Sequence, residues 1–183
     1  MSRYASRGGD KLEFALSSLK VAPSGTVTAD LGSNVGGFVD CLLQHGAARV
    51  YSVDTSYGTL AWTLRQDDRV VVMERTNALH VELPEPVDLV TVDVGWTKQR
   101  LILPRAVGLT RPGGTVLSLL KPQYEADPAE LVRGVVEPET AQSIADRVVE
   151  TLERDGIRVA GRVRSALRGA KGNTEFFLRV DVE

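Results

Sequence analysis

The chain carries a single cysteine, Cys41, among 183 residues, which excludes an internal disulfide and leads us to expect a reducing, cytoplasmic setting. It has two histidines, His45 and His80, and neither has partners at metal-ligand spacing, so no metal site is expected. No apolar run approaches the ~20 residues needed to span a bilayer, and no basic amphipathic lytic helix is present. A membrane protein or a cytolysin is therefore disfavoured. Residues 1–9 lack the apolar centre of a secretory signal. G-x-x-x-x-G-K-[ST] is missing, which argues against a P-loop hydrolase, and neither a Ser-His-Asp nor a Cys-His pattern stands out. Excess charge of one sign is missing too. With a formal net charge of -2, any nucleic-acid partner must meet a local basic face.

What is present is the composition of a soluble globular domain, 43% hydrophobic and 25% charged. Residues 1–183 are read as one domain, with the segment 1–20 packed onto it as an amino-terminal motif and helix. Leu12, Ala15, Leu16 and Leu19 fall at helical spacing, with Asp10 available as a cap. Strands are expected at 27–31, 49–54, 70–74, 87–93 and 115–120, the later ones as short apolar runs of the buried parallel kind. Between them the pattern predicts helices from Gly37 to Gly46, around Leu60, Ala61 and Leu64, and over 101–109, the last broken or kinked at Pro104. Pro112-Gly113-Gly114 reads as a turn. The clearest helix runs over Pro138–Arg154, with Ala141, Ile144, Ala145, Val148, Val149 and Leu152 keeping its period. Strands at 157–163 and 175–182 then follow without an intervening helix, so they must be antiparallel if adjacent. The sum is a Rossmann-like α/β fold: a mostly parallel seven-stranded sheet with one antiparallel strand and helices on both faces.

The most informative segment is Asp30-Leu31-Gly32-Ser33-Asn34-Val35-Gly36-Gly37, a glycine turn between a strand and a helix, followed by a strand that ends at Asp54. Such a turn lets a cofactor approach bare backbone, and a carboxylate ending the next strand can accept both hydroxyls of a ribose. The glycines at 32, 36 and 37 do not give the G-x-G-x-x-G spacing of a dinucleotide site. Asp30, at the start of the turn, would repel a pyrophosphate and suit a ligand with a cationic end. On charge, S-adenosylmethionine is favoured over NAD.

In sheets of this kind ligands bind beyond the carboxyl ends of the parallel strands. Asp30, Asp54, Asp93 and Lys121 each sit at, or one step past, such an end. Packing explains one charged residue there more readily than four.

Seven segments resemble the TlyA family, the FtsJ-like group of ribose methyltransferases often labelled haemolysin A. They are Ser6-Arg7-Gly8-Gly9-Asp10-Lys11-Leu12, Asp30-Leu31-Gly32-x-x-x-Gly36-Gly37-Phe38, Asp54-x-x-x-Gly58-x-Leu60-Ala61-Trp62, Glu74-Arg75-Thr76-Asn77, Val87-Asp88-Leu89-Val90-Thr91-Val92-Asp93, Leu120-Lys121-Pro122-Gln123-Tyr124-Glu125 and Lys171-Gly172-Asn173-x-Glu175-Phe176. The resemblance covers nearly the whole chain and keeps the family's order. It implies transfer of a methyl group from S-adenosylmethionine to a ribose 2′-hydroxyl of ribosomal RNA, free or in a ribosomal subunit. The family's catalytic tetrad would fall on Lys11, Asp93, Lys121 and Glu175. The cofactor would lie along Asp30, Gly32, Ser33, Gly36, Gly37 and Phe38, with Asp54 on its ribose, Asn77 near its adenine and Asp93 beside it.

A ribose hydroxyl is too weak an acid to ionise unaided. The tetrad therefore implies Lys121 as base or hydroxyl-orienting group, Asp93 and Glu175 aligning it, and Lys11 positioning the nucleotide. Of the basic residues, Arg3, Arg7, Arg168 and Lys171 are expected to hold RNA because they lie in glycine-rich segments beside tetrad members. Arg158, Arg162 and Arg164 fit the wet face of an edge strand equally well. Trp96 could stack on a base or fill the core.

Two departures from the family stand out. Many members carry a small amino-terminal RNA-binding domain before this region, whereas here Met1 stands almost directly before Ser6-Arg7-Gly8. Gly95-Trp96 stands where the family more often has a serine and an aromatic, in the loop expected to line the acceptor site. The alternative reading is a methyltransferase acting on a small hydroxylated molecule.

Overall fold

The computed structural model describes residues 3–183. Its elements run α1 (Arg7–Ser18), β1 (Val27–Leu31), α2 (Gly37–Gln44), β2 (Arg49–Val53), α3 (Trp62–Arg65), β3 (Val70–Met73), β4 (Val87–Val92), α4 (Gln99–Leu109), β5 (Thr110–Leu120), α5 (Pro122–Glu125), α6 (Pro138–Arg154), β6 (Val159–Arg164) and β7 (Phe176–Asp181). The seven strands form one sheet in the order β3-β2-β1-β4-β5-β7-β6. β1 to β5 are mutually parallel, and β7 pairs antiparallel with both β5 and β6, so it is the one reversed strand.

The side-chain period of two sorts the central strands into two cores. Leu117 and Leu119 of β5 and Phe177 of β7 pack with Leu12, Phe38, Leu42 and Leu64 beneath α1, α2 and α3. Val116, Leu120, Phe176 and Leu178 face the other way, onto Ile102, Leu103, Ile144 and Leu152 of α4 and α6. The helical stripe expected on 138–154 is the one buried there.

Several local expectations are corrected. α1 begins at Arg7, with Ser6 rather than Asp10 as its cap, and Ser6 Oγ accepts the Gly8 N–H at 3.2 Å. Glycines 8 and 9 disfavour a helix in isolation, but α1 is held by packing. A β-carbon on Gly37 of α2 would lie 2.2 Å from Ser6 Oγ and 2.9 Å from Gly9 N, so the two helices touch through backbone. The helix around Leu60 shrinks to four residues, and Leu60 is buried from the loop before it. β3 is an edge strand with Val71 exposed, because only β2 pairs with it. α4 is not broken at Pro104, which lies inside it. Pro112-Gly113-Gly114 is absorbed into β5 as an irregularity in its pairing with β4, not as a separate turn.

Gly32 marks the point where the strand order reverses between β1 and β4. Its φ is +90°, and a β-carbon would sit 2.6 Å from the Asp93 carbonyl oxygen. Gly58 has a similar φ of +73° but faces open space. Gly32→Ala is therefore expected to cost about 3 kcal/mol in urea unfolding, combining left-handed strain with a backbone clash. Gly58→Ala should cost about 1 kcal/mol. Equal costs would show that the close approach of β1 and β4 is unimportant.

Candidate active site at the carboxyl edge of the sheet

Register brings the strand ends level. Leu31 pairs with Val53 and with Val92, Val53 with Met73, and Val92 with Ser118 two residues before β5 ends. Asp54 and Asp93 are the next residues past β2 and β4, and Lys121 follows β5 directly. Leu120 pairs with Phe176, the first residue of the reversed strand, so Glu175 arrives at this same edge from the opposite direction. α1 carries Lys11 onto it.

The four residues expected to form a tetrad make two ion pairs. Lys121 Nζ lies 2.5 Å from Asp93 Oδ1, and Lys11 Nζ lies 2.5 Å from Glu175 Oε2. Glu175 thus pairs with Lys11, and not with Lys121 as the tetrad resemblance implies. It is 2% exposed, and a buried carboxylate there needs the lysine beside it. Two adjoining cavities open on this edge and share Gly32, Asn34 and Asp93. The smaller, about 200 Å³, is bounded by Arg7, Lys11, Asp30, Phe38 and Arg168. The larger, about 420 Å³, is bounded by Asp54, Ser56, Asn77, Ile102 and Lys121.

Asp30 is fully buried within β1. The Thr91 hydroxyl of the neighbouring strand donates to Oδ1 at 2.7 Å, and Oδ2 has no partner among the described residues. Burial pushes its carboxyl up to about 8; the Thr91 hydrogen bond opposes this, and the charges of Asp93 and Asp54 add to it. Asp54 is the contrasting case. Partial burial would raise it, but hydrogen bonds from Ser56, side chain and backbone, and from the Asn34 backbone N–H outweigh that and hold it below the usual carboxylate range.

Other expected positions divide. Ser33 Oγ accepts the Ser52 hydroxyl and its N–H donates to the Val53 carbonyl, so both are spent on the fold. Phe38 lines the smaller cavity but is 3% exposed and stacks on Phe177, 6.0 Å between centroids. Gly36 caps α2 and lines neither cavity. Asn77 lines the larger one, and its Oδ1 accepts the Leu79 N–H at 3.0 Å, a turn-former's bond. Arg7 and Arg168 line the smaller cavity, joined where Arg7 donates to the Arg168 carbonyl. Lys171 donates instead to the Arg133 carbonyl, and Arg3 pairs with Glu13, away from both cavities. Arg162 pairs with Asp146 on the edge strand β6. Trp96 is 86% exposed at a φ of +61°, 4.8 Å from the Tyr124 ring, which removes it from the core.

Sequence reasoning missed Thr91 and Glu125. Thr91 faces Asp30 by register, which only a correct β1–β4 pairing reveals. Glu125 Oε1 accepts the Gln99 N–H at the start of α4, a partner 26 residues away.

A sheet in this order, with cavities at the carboxyl edge and the reversed strand second from one end, is a Rossmann-like fold, and solved structures named as methyltransferases share it at 17–19% identity. The chain belongs to the FtsJ-like methyltransferase family, which it matches over residues 4–181. It is 41% identical over 187 residues to "Putative rRNA methyltransferase YqxC" of Bacillus subtilis, covering 97% of this chain and 66% of that protein. It is 38% identical over 181 residues to "16S/23S rRNA (cytidine-2'-O)-methyltransferase TlyA" of Mycobacterium tuberculosis, covering 96% and 67%. The solved "Putative hemolysin from Streptococcus thermophilus" superposes with a TM-score of 0.93 at 35% identity, covering all of this chain and 68% of that one. The chain thus spans about two thirds of these relatives. No helix among the described residues is long and apolar enough to cross a membrane.

Because the folded protein keeps a proton on Asp30 that the unfolded chain releases above about pH 4, stability should fall as pH rises from about 4 through 8. The contribution reaches about 1.4 kcal/mol per pH unit at most. Asp30→Asn should flatten that slope in urea midpoints measured across this range. An unchanged slope would place the titration elsewhere.

Proposed function

We propose that the chain is an S-adenosylmethionine-dependent methyltransferase acting on a ribose 2′-hydroxyl of ribosomal RNA. The observation that carries this reading is the Asp93–Lys121 pair at the junction of two cavities, one of which holds a buried carboxylate oxygen with no partner. The residues fit the cofactor. Asp30 Oδ2 suits the ammonium of its amino-acid end, and Asp54 keeps lone pairs free for ribose hydroxyls beside the two backbone N–H groups that it accepts. Asn77 and Ile102 border the space left for adenine.

When bound, adenosylmethionine supplies a methyl carbon made electrophilic by its sulfonium. Lys121 Nζ orients the acceptor hydroxyl or, as a neutral amine, takes its proton as the oxygen attacks, and Asp93 fixes the direction of that nitrogen. Lys11, held by Glu175, places the acceptor nucleotide from the smaller cavity. Arg7, Arg168 and Lys171 have no carboxylate partner among the described residues and are available to phosphates. Trp96, exposed on Tyr124 beside Lys121, is placed to stack on a base. The relatives named as ribosomal RNA methyltransferases support this substrate class.

Labelled methyl from adenosylmethionine should enter ribosomal RNA, as subunits or naked RNA, in alkali-stable form. Lys121→Ala should lower that rate by about 10²–10⁴-fold with cofactor affinity little changed. Label appearing only in small hydroxylated molecules would replace the RNA reading. Cofactor affinity should also tighten from pH 6 to 7.5, with proton release visible in calorimetry as Asp30 ionises; Asp30→Asn should bind weakly at every pH. Binding without proton release would remove Asp30 from the contact.

A further inference from the structure

The loop between β2 and α3, together with the first residue of α3, displays two aromatic side chains for which the fold has no use. Tyr57 is 71% exposed and Trp62 72% exposed. The segment that carries them is strapped down. Thr76 N–H donates to the Asp54 carbonyl and Arg75 N–H to the Ser56 carbonyl, at 2.9 and 3.1 Å. Gly58 N–H donates to Glu74 Oε1 at 2.7 Å, and Ala61 N–H to the Val35 carbonyl at 3.0 Å. Arg65 ties Glu74 to the Leu60 carbonyl.

Arg75 itself is held at a φ of +52°, with its guanidinium 4.4 Å from the Tyr57 ring centroid, and it makes no ion pair among the described residues. Its neighbours Arg65 and Arg69 are both neutralised, by Glu74 and Asp67. The loop is also a wall of the larger cavity through Asp54, Ser56 and Thr59, with Lys121 bordering the same space. Trp96 lies near Lys121, through Tyr124.

Two exposed aromatics on one strapped segment, the first of them beside an unneutralised guanidinium, are the chemistry of a single-stranded nucleic-acid platform: bases stack on the rings and a phosphate meets the cation. We infer that Tyr57, Trp62 and Arg75 form a second RNA contact, on which single-stranded nucleotides flanking the acceptor stack as they cross the mouth of the larger cavity. The inference rests on the RNA reading above and extends it from the acceptor ribose to the strand that carries it.

Two tryptophans, Trp62 and Trp96, make the test direct. Trp96→Phe leaves Trp62 as the sole tryptophan emitter, and titration with a short single-stranded oligoribonucleotide should quench it. The double variant Tyr57→Ala/Trp62→Ala should bind that RNA about 10- to 100-fold more weakly while binding S-adenosylmethionine as before. Arg75→Ala should lower the dependence of RNA affinity on salt by about one phosphate contact. If the wild type binds and methylates RNA while Trp62 emission and the double variant's RNA affinity stay unchanged, the platform is refuted and the RNA reading stands. If the wild type neither binds nor methylates RNA, both fall. A concentration-dependent dimer in sedimentation that the double variant abolishes would assign the patch to a second copy of the chain and overturn the inference.

Discussion

The site depends on charge balance at one edge of an apolar sheet. Five ionisable side chains, Asp30, Asp54, Asp93, Lys121 and Glu175, meet where β1, β2, β4 and β5 end and β7 begins, and Lys11 joins them from α1. Charges cannot be withdrawn from water there without partners. Two lysines neutralise two of the carboxylates, and backbone N–H groups from the turn stabilise Asp54. Among the described residues, Asp30 is left with a buried oxygen that meets neither a hydrogen-bond donor nor a cation. That imbalance favours the proposed ligand site over a structural ion-pair network. A network serving only the fold would have closed on itself.

The reversed strand is what makes the arrangement possible. In a wholly parallel sheet, a residue preceding a strand lies at the amino edge, away from the cavities. Because β7 runs against β5, Glu175 precedes its strand and still reaches the carboxyl edge, where it meets Lys11. The amino-terminal helix must in turn be seated closely enough for Lys11 to arrive. The backbone contact of Gly37 with Ser6 and Gly9 provides that seat. Fold and chemistry are coupled through these two features more than through the size of the core.

Much of this was legible in the sequence because it is local. The strand and helix periods, the turn at 31–37 and the charged residues past strand ends all follow from patterns within about ten residues, and so do both ends of α6, Pro138 and Arg154. The antiparallel closing pair followed from the lack of a crossover. What sequence did not show is set by register and long-range contact. Thr91 opposite Asp30, Glu175 with Lys11, and Ser33 turned inward onto Ser52 need the sheet to be assembled first. The start of α1 was missed for the same reason, since its two glycines are helical only through tertiary packing. The exposure of Trp96, left open between core and base contact, was decided by a positive φ that sequence does not reveal.

The most direct test of the account is a crystal structure with S-adenosylhomocysteine bound. The account predicts the ligand's ammonium about 3 Å from Asp30 Oδ2, its ribose hydroxyls on Asp54, and its sulfur turned toward the Asp93–Lys121 pair. An ammonium placed away from Asp30, or a sulfur turned away from Lys121, would contradict it.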